Sequence, residues 1–429
     1  MLSIISLQQT LILSELHFLG GASEVGRSAI LFRGGKNIIM DYGIKLNHKT
    51  EYPMPAGNVD ACVLSHAHID HSGNFPFLYK DGMPITYGTE PTKELSELLV
   101  EDSMKVGKKN HQPPKFNKHN LRTFLERFSL HEFGEEIDLG EYSITLYDAG
   151  HISGSSITKI ESRKSGKRLV YTGDFKLEPQ MIQGSADIVK SDILLTETTY
   201  ANREHPEREE LMRKFVDDVR HTLDDGGTAL IPTFAVGRAQ EILAVLHKNK
   251  LTDYVFIDGM ARKATQIAMR HPEYIRNVDL LHDAIKRISW IDSEQHRGHA
   301  VSGPGIILTT AGMLNGGPVL SYITKLGPNS KIFLTGYQVE GTNGSKLMDG
   351  KPLNIDGRKE TIKTPWVYYD FSAHAGKSDL YEYVKKSNPE VVICVHGEEK
   401  TAEAFAESLK VEGIKAVVPR QGDTLRFDF

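Results

Sequence analysis

The stretch VLSHAHIDHSGNF, residues 63–75, places four side chains that can bind a metal ion within six positions. His66 and His68 are one residue apart, and Asp70 and His71 follow shortly after them. In an extended turn alternate side chains point the same way, so His66 and His68 can share one ion. Asp70 and His71, at the start of the next element, can then reach a second ion. This spacing predicts a metal site at the end of an apolar strand.

Three more candidate ligands follow short β-rich runs elsewhere in the chain. They are His151 in DAGHISG, Asp174 in YTGDF and His396 in VHGE. Two divalent ions roughly 3.5 to 4 Å apart need about seven or eight ligands, and a carboxylate such as Asp174 can bridge both. Imidazole and carboxylate ligands suit zinc or manganese. The sequence therefore predicts a centre of two divalent ions, with Zn²⁺ as the first choice and Mn²⁺ as the alternative.

The length and composition favour an ordinary globular chain of more than one domain. The 429 residues exceed the size at which a single core usually stops growing. A net charge of -5 argues against indiscriminate binding of polyanions. Residues 104–122 nevertheless carry six Lys or Arg and no acid. This basic segment is either a solvated loop or a surface that attracts phosphate.

The first 21 residues contain no Lys or Arg, and two glutamines interrupt their apolar run. This pattern is unlike a secretory signal or a membrane span, and its alternation predicts an N-terminal strand. We therefore expect a cytoplasmic protein with no membrane partner. Cys62 and Cys394 both lie in β-rich runs and are predicted to be buried thiols without a disulfide.

The order of the predicted elements indicates an α/β or α+β first part, with a separate α/β domain inserted into it. Up to residue 200, short strands surround two helical patterns at 92–104 and 120–128. Predicted helices at 207–223 and 237–250 then alternate with strands, which is typical of a parallel sheet. The last part of the chain again carries histidines. We expect a first domain part at 1–200, an inserted domain at 201–355 and a returning part at 356–429.

These motifs together resemble a known family. HAHIDH, Asp41 in IIMDYG, His151 and Asp174 are similar to the metallo-β-lactamase superfamily. Glu197 in TETTY, His374 in FSAHA and His396 match the three further motifs of its β-CASP branch, whose members process nucleic acids. Within that branch the chain resembles archaeal RNase J and archaeal relatives of the cleavage and polyadenylation specificity factor nuclease. The implied fold is a metallo-β-lactamase αββα sandwich with an inserted β-CASP α/β domain.

The resemblance also implies a role for each site residue. His66, His68 and His151 would hold one metal, Asp70, His71 and His396 the other, and Asp174 would bridge them. Asp41 would hydrogen-bond a ligand imidazole and fix its tautomer. The catalytic residues would be Asp70, with His374 as the general acid and Glu197 holding it.

Two glycine-containing segments of the inserted part look like phosphate cradles. IPTFAVGRAQ offers Gly237 and Arg238 at a helix start, and TTAGMLNGGP offers Gly316. Ser372, two residues before His374, could also contact a phosphate. Taken alone, such glycines are more often ordinary turns. With the metal site they predict a path for RNA.

The implied activity is hydrolysis of single-stranded RNA by a zinc-dependent ribonuclease. The first choice is a 5′→3′ exonuclease that prefers a 5′-monophosphate, and the alternative is an endonuclease of the polyadenylation-factor type. A DNA nuclease is disfavoured by His396, because DNA-processing members tend to have an apolar residue there. A catalytically silent scaffold is disfavoured because every ligand position is filled. A small-molecule hydrolase would not need the insertion, and a homodimer is left open.

Overall fold

The computed structural model describes residues 14–46 and 49–429, and this part of the chain contains three large β-sheets. The strands are β1 (Ser14–Gly20), β2 (Ala29–Arg33), β3 (Asn37–Met40), β4 (Lys45–Leu46), β5 (Thr50–Glu51), β6 (Ala61–Val63), β7 (Ile85–Gly88), β8 (Phe128–Leu130), β9 (Glu136–Asp138), β10 (Tyr142–Asp148), β11 (Ser156–Ser162), β12 (Arg168–Tyr171), β13 (Ile193–Glu197), β14 (Thr228–Pro232), β15 (Val255–Ile257), β16 (Ser289–Trp290), β17 (Gly305–Thr309), β18 (Lys331–Leu334), β19 (Leu353–Ile355), β20 (Arg358–Glu360), β21 (Trp366–Tyr368), β22 (Val391–Val395), β23 (Ala416–Val417) and β24 (Thr424–Phe427). The α-helices are α1 (Ile69–Ser72), α2 (Glu90–Lys109), α3 (Lys118–Glu126), α4 (Arg208–Asp224), α5 (Arg238–Lys248), α6 (Met260–Arg270), α7 (Val278–Ile285), α8 (Glu294–Ala300), α9 (Val319–Ile323), α10 (Asn343–Met348), α11 (Lys377–Ser387) and α12 (Glu399–Val411).

Two seven-stranded sheets pack face to face. Their strand orders are β24-β1-β2-β3-β6-β7-β8 and β23-β22-β13-β12-β11-β10-β9. Because side chains alternate along a strand, Ile30 and Phe32 of β2 enter the core between the sheets, whereas Leu31 faces the other way. Leu195 of β13 enters the same core from the second sheet. Burial on both faces explains why these strands are almost continuously apolar.

Helices cover the outer faces of both sheets. Phe124 of α3 packs with Leu31 on the first sheet. On the second sheet Tyr383 of α11 and Phe405 of α12 pack with Leu194. The layers are therefore helix, sheet, sheet, helix, and the predicted αββα sandwich is confirmed. Both helices predicted before residue 130 are present, whereas α12 was not predicted from the sequence.

The third sheet has the order β16-β15-β17-β14-β18-β21, and every pairing in it is parallel. Adjacent residues of β14 face opposite layers of helices, with Ile231 toward α4–α7 and Leu230 toward α9 and α10. This is the predicted inserted α/β domain. The predicted domain ends at residue 355. The edge strand β21 of this sheet follows that residue, and in the hairpin β19–β20 the first strand ends at it and the second begins after it. The predicted boundary positions stay predictions.

Several smaller expectations concern the surface and the thiols. Cys62 and Cys394 are buried and unpaired, as predicted. The predicted N-terminal strand is present as β1, and residues 1–13 of that prediction lie outside the described residues. Within the described ranges no helix is both long and apolar enough to cross a membrane. The basic segment forms the end of α2, a loop and α3, and its six cations are exposed.

Candidate metal centre

The candidate ligands meet because the strands that carry them end at one edge of the sandwich. Strand β10 runs in the same direction as β12, since each is antiparallel to β11. Strands β12, β13 and β22 are parallel to one another. The residues at or just after these four carboxyl ends are His151, Asp174, Glu197 and His396. The first sheet adds Asp41 after β3 and the HAHIDH turn after β6, which are also parallel.

One group of ligand atoms consists of His66, His68, His151 and Asp174, all within 4.8 Å of one another. His66 Nε2 lies 3.6 Å and His151 Nε2 lies 3.8 Å from Asp174 Oδ2. His151 Nε2 also lies 3.0 Å from His68 Nδ1. The turn and the ends of β10 and β12 thus bring three imidazoles and one carboxylate to a single point.

A second group consists of Asp70, His71 and His396. His396 Nε2 lies 3.4 Å from Asp70 Oδ2. Asp174 also reaches this group, since its Oδ2 lies 3.4 Å from His71 Nε2 and its Oδ1 lies 3.1 Å from His396 Nδ1. Asp174 therefore lies between the two groups, where a bridging carboxylate has to be.

The chemistry of these atoms fits metal ions. His66 Nε2, His71 Nε2, Asp174 Oδ1 and His396 Nε2 are buried and have no hydrogen-bond partner among the described residues. Leaving one buried polar group unpaired costs about 1 to 3 kcal/mol. Four such atoms that converge on one cluster indicate that a bound cation completes their interactions.

The electrostatics of the cluster make metal binding dependent on pH. Burial lowers the pKa of His66 and of His151 well below the usual value. Burial also acts to lower the pKa of His396, but Asp174 and Asp70 outweigh it and raise this pKa to about 10. A metal must displace such protons, so its affinity falls as the pH falls.

Asp41 contacts His71, one of the candidate ligand imidazoles. Its Oδ2 lies 2.7 Å from His71 Nδ1 and accepts hydrogen bonds from Tyr171 Oη at 2.8 Å and Ser65 Oγ at 2.7 Å. Its Oδ1 accepts from the Ser65 amide at 2.8 Å. With Nδ1 engaged, the other nitrogen of His71 faces the cluster. Asp41 has φ 57°, a conformation that the surrounding contacts must hold in place.

His374 lies beside the cluster and is paired with Glu197. His374 Nδ1 lies 2.9 Å from Glu197 Oε2, which also accepts a hydrogen bond from Thr199 Oγ1 at 2.6 Å. Burial lowers the pKa of His374, but the Glu197 and Asp174 carboxylates outweigh it, so the pKa lies above its usual value. A protonated imidazole with one nitrogen free can donate a proton.

The predicted RNA contacts occupy less accessible positions than the sequence suggested. The guanidinium of Arg238 donates a hydrogen bond to the carbonyl oxygen of Thr335, and burial lowers the pKa of Arg238 to about 10. Ser372 is 5% exposed, and its Oγ accepts the His374 amide at 3.2 Å. Through this hydrogen bond, Ser372 stabilises the loop that carries His374.

The two candidate glycines differ in their surroundings. Gly237 has φ +78°, and a Cβ there would lie 2.5 Å from Ile152 Cγ2, so the inserted domain approaches the loop of His151 closely. Gly316 lies in the loop after β17, and a Cβ added there would meet no atom within 4 Å.

Some residues that shape the centre were missed at the level of sequence. Ser65 and Tyr171 both contact Asp41, and Thr199 contacts Glu197. Each lies within three residues of a motif residue, namely His66, Asp174 or Glu197, which was the available signal. Lys176 is 2% exposed, and its Nζ donates to the His374 carbonyl at 3.3 Å. Lys176 lies two residues after Asp174, so the same signal was available, but lysine is rarely buried and the sequence does not predict its burial.

Comparisons with known proteins agree with this architecture. Residues 239–347 match the Beta-Casp domain, and residues 361–419 match the Zn-dependent metallo-hydrolase RNA specificity domain. Residues 21–223 match the family of the anti-Pycsar protein Apyc1. A crystal structure of a protein of unknown function from Enterococcus faecalis V583 has the same fold, with a TM-score of 0.62 at 15% identity over 97% of this chain and 100% of that one.

Archaeal proteins are similar over almost the whole chain. The probable RNase MJ4 of Methanocaldococcus jannaschii is 34% identical over 96% of this chain and 100% of its own length. RNase aCSPSF2 of Saccharolobus solfataricus is 35% identical over 96% of this chain and 85% of its own. The transcription termination factor FttA of Pyrococcus abyssi is 32% identical, with 95% and 70% covered. With the His and Asp clusters supporting divalent-metal binding, the chain belongs to the β-CASP ribonuclease branch of the metallo-β-lactamase superfamily.

Proposed function

We propose that the chain is a metal-dependent ribonuclease that hydrolyses phosphodiester bonds of single-stranded RNA. The observation that carries this proposal is the pair of ligand groups around Asp174, with unpartnered atoms facing one another beside the His374–Glu197 pair. The names of the similar RNases support RNA as the substrate.

In this proposal the seven ligands hold two divalent ions, zinc in the first instance. His66, His68 and His151 would hold one ion, Asp70, His71 and His396 would hold the other, and Asp174 would contribute to both. Bound there, the ions would supply Lewis acidity and lower the pKa of water toward about 7. The contacts of Asp174 with histidines of both groups support its bridging position.

His374 acts as the general acid. Hydrolysis forms a bond from a water oxygen to phosphorus, with one proton of that water released to solvent, and breaks the bond from phosphorus to the 3′ oxygen, which must gain a proton. His374 donates that proton from Nε2 while Glu197 holds Nδ1, and the products carry a 5′-phosphate and a 3′-hydroxyl. The raised pKa of His374 supports this role, because the acid must be protonated at neutral pH.

The direction of attack is 5′→3′ in our proposal. A terminal monophosphate would be held by the loops at 232–240 and 310–318, which follow the parallel strands β14 and β17 of the inserted domain. The alternative is an endonuclease, favoured by FSAHA and GYQVEGT, which resemble the polyadenylation-factor nucleases. Domain boundaries at 200 and 355, a homodimer and a cytoplasmic location stay predictions.

Two labelled RNAs test activity and direction together. RNA carrying a 5′-monophosphate should release the labelled 5′ mononucleotide at once, and 3′-labelled RNA should shorten progressively. RNA with a 5′-hydroxyl should be degraded more slowly. Internal cuts that appear first, with circular RNA cleaved as fast as linear RNA, would replace the exonuclease by the endonuclease. Absence of cleavage with both Zn²⁺ and Mn²⁺ would overturn the ribonuclease itself.

A further inference from the structure

A second polar cluster lies directly beside His374 and contains none of the candidate metal ligands. The ring of Tyr200 meets the ring of His374 with centroids 5.8 Å apart and an interplanar angle of 78°. The guanidinium of Arg203 lies 4.2 Å above the Tyr200 ring. The Lys377 amide donates to the Arg203 carbonyl at 2.9 Å, which ties this segment to the loop that carries His374.

The guanidinium of Arg203 is held in place but incompletely paired. Its Nη2 lies 3.0 Å from Asp370 Oδ2, and the same carboxylate oxygen lies 3.2 Å from His205 Nδ1. Nevertheless Nε and Nη2 of Arg203 are buried without a hydrogen-bond partner among the described residues. The guanidinium also donates a hydrogen bond to the Tyr368 side chain, so Asp370 orients a planar donor whose hydrogen-bonding capacity is only partly used.

The neighbouring groups point to the same missing partner. The side chain of His205 is 8% exposed, and its Nε2 also lacks a hydrogen-bond partner within the described chain. The charge of Arg238 adds positive potential, since it acts electrostatically on both Tyr200 and Asp370. The partly unused guanidinium of Arg203, with the charge of Arg238 nearby and a single carboxylate from Asp370 between them, suits an anion, and guanidinium binds phosphate through two parallel hydrogen bonds.

We infer that Arg203, stacked on Tyr200 and oriented by Asp370, binds the phosphate on the 5′ side of the leaving nucleotide. This rests on the proposed function, in which His374 protonates the 3′ oxygen of that nucleotide. Residues next to His374 then face the nucleotide that carries this oxygen. The bound group is the terminal monophosphate in an exonuclease and an internal phosphodiester in an endonuclease. Arg203 is thus a substrate-binding residue additional to the predicted contacts.

The test compares two RNAs that differ in one phosphate. In the second RNA the phosphate 5′ of the leaving nucleotide is replaced by an uncharged methylphosphonate, or by a 5′-hydroxyl when the terminal nucleotide is released. Wild type should have a kcat/KM about 10- to 100-fold higher on the charged RNA, as expected for a charge-assisted contact. Arg203→Ala should cleave both RNAs equally, at about the wild-type rate on the uncharged RNA.

Two variants separate binding from a structural role. Arg203→Lys should recover part of the preference for the charged RNA. Lysine keeps the positive charge but loses the two parallel N–H donors of the guanidinium. Arg163→Ala is the matched control, since Arg163 is an exposed arginine paired with Glu136 and Asp138, and it should keep the full preference. An equal loss on both RNAs in Arg203→Ala would overturn the inference, as would a wild type indifferent to the phosphate.

The inference can fail separately from the proposed function. If wild type cleaves neither RNA, the ribonuclease is wrong, and equilibrium binding of the same two RNAs still reports on Arg203. Tighter binding of the charged RNA by wild type but not by Arg203→Ala supports the phosphate contact. Equal affinities for both RNAs in wild type contradict it.

Discussion

At the scale of single residues, the pair His374–Glu197 makes the sharpest prediction. Replacing His374 by Ala removes the proton donor but none of the seven proposed ligands. We expect kcat to fall by about 10²- to 10⁴-fold while the metal content stays at the wild-type level. Metal analysis and single-turnover cleavage of the same preparation measure both quantities. Loss of metal from this variant would identify His374 as a ligand, as its proximity to Asp174 at 3.7 Å allows.

Asp148 makes a prediction about pH and stability. Burial raises its pKa from 3.8 to about 6, and the nearby Asp187 adds to the shift. A raised carboxyl pKa contributes stability that is fully present below about pH 3.8 and is lost as the pH rises through about 6. Asp148→Asn keeps an oxygen that can accept the Gly150 amide and stays neutral at every pH.

The variant should therefore match wild type near pH 4 and exceed it by about 1 to 3 kcal/mol in free energy of unfolding at pH 8. Denaturant titrations at the two pH values measure this difference. Asp138→Asn, at an exposed carboxylate with a lowered pKa, is the control and should show no such gain. Equal or lower stability of Asp148→Asn at pH 8 would contradict the assignment.

At the scale of elements, one carboxylate joins the inserted domain to the sandwich. Glu241 of α5 is 1% exposed and accepts the amides of Met181 and Ile182 at 3.0 and 3.2 Å. It also pairs with Arg208 of α4. The adjacent Gln180 donates to the His151 carbonyl at 3.1 Å, so this contact leads to the metal loop.

Replacing Glu241 by Ala should destabilise the chain by about 3 to 5 kcal/mol, because Arg208 and two amides lose their buried partner. Glu241→Gln should be intermediate, since it keeps one oxygen acceptor. Shifts of the denaturant midpoint measure the effect. Glu209→Ala, at an exposed position in α4 next to Arg208, is the control. A loss no larger than that of the control would show that the domains do not depend on this contact.

At the scale of the whole molecule, the cores lie apart from the ligands. The clusters between and outside the sheets are apolar, so chelation should lower Tm while the far-UV circular dichroism stays unchanged. Restoring the metal to a concentration of about 100 times its Kd should raise the free energy of unfolding by about 2.7 kcal/mol. His68→Ala, missing one ligand, should be folded, inactive and less responsive to added metal. Unfolding on chelation would contradict this picture.

The sequence by itself determined the features that depend on local spacing. The motif HAHIDH specifies a turn rich in ligands, and alternating or continuous apolar runs specify strands whose ends carry His151, Asp174 and His396. The inserted domain followed from the order of these elements, and the αββα sandwich followed from the family resemblance. Each of these inferences uses side chains close in sequence or motifs that can be recognised singly.

Only the tertiary structure decided which atoms face one another. His151 and His68 are 83 positions apart, and their contact arises because two sheets place their strand ends at one edge. The burial of Ser372, the retracted guanidinium of Arg238 and the unpaired donors of Arg203 likewise depend on packing between distant segments. Periodicity reports which face of an element is buried, but a side chain's partner is set by the long-range arrangement of elements.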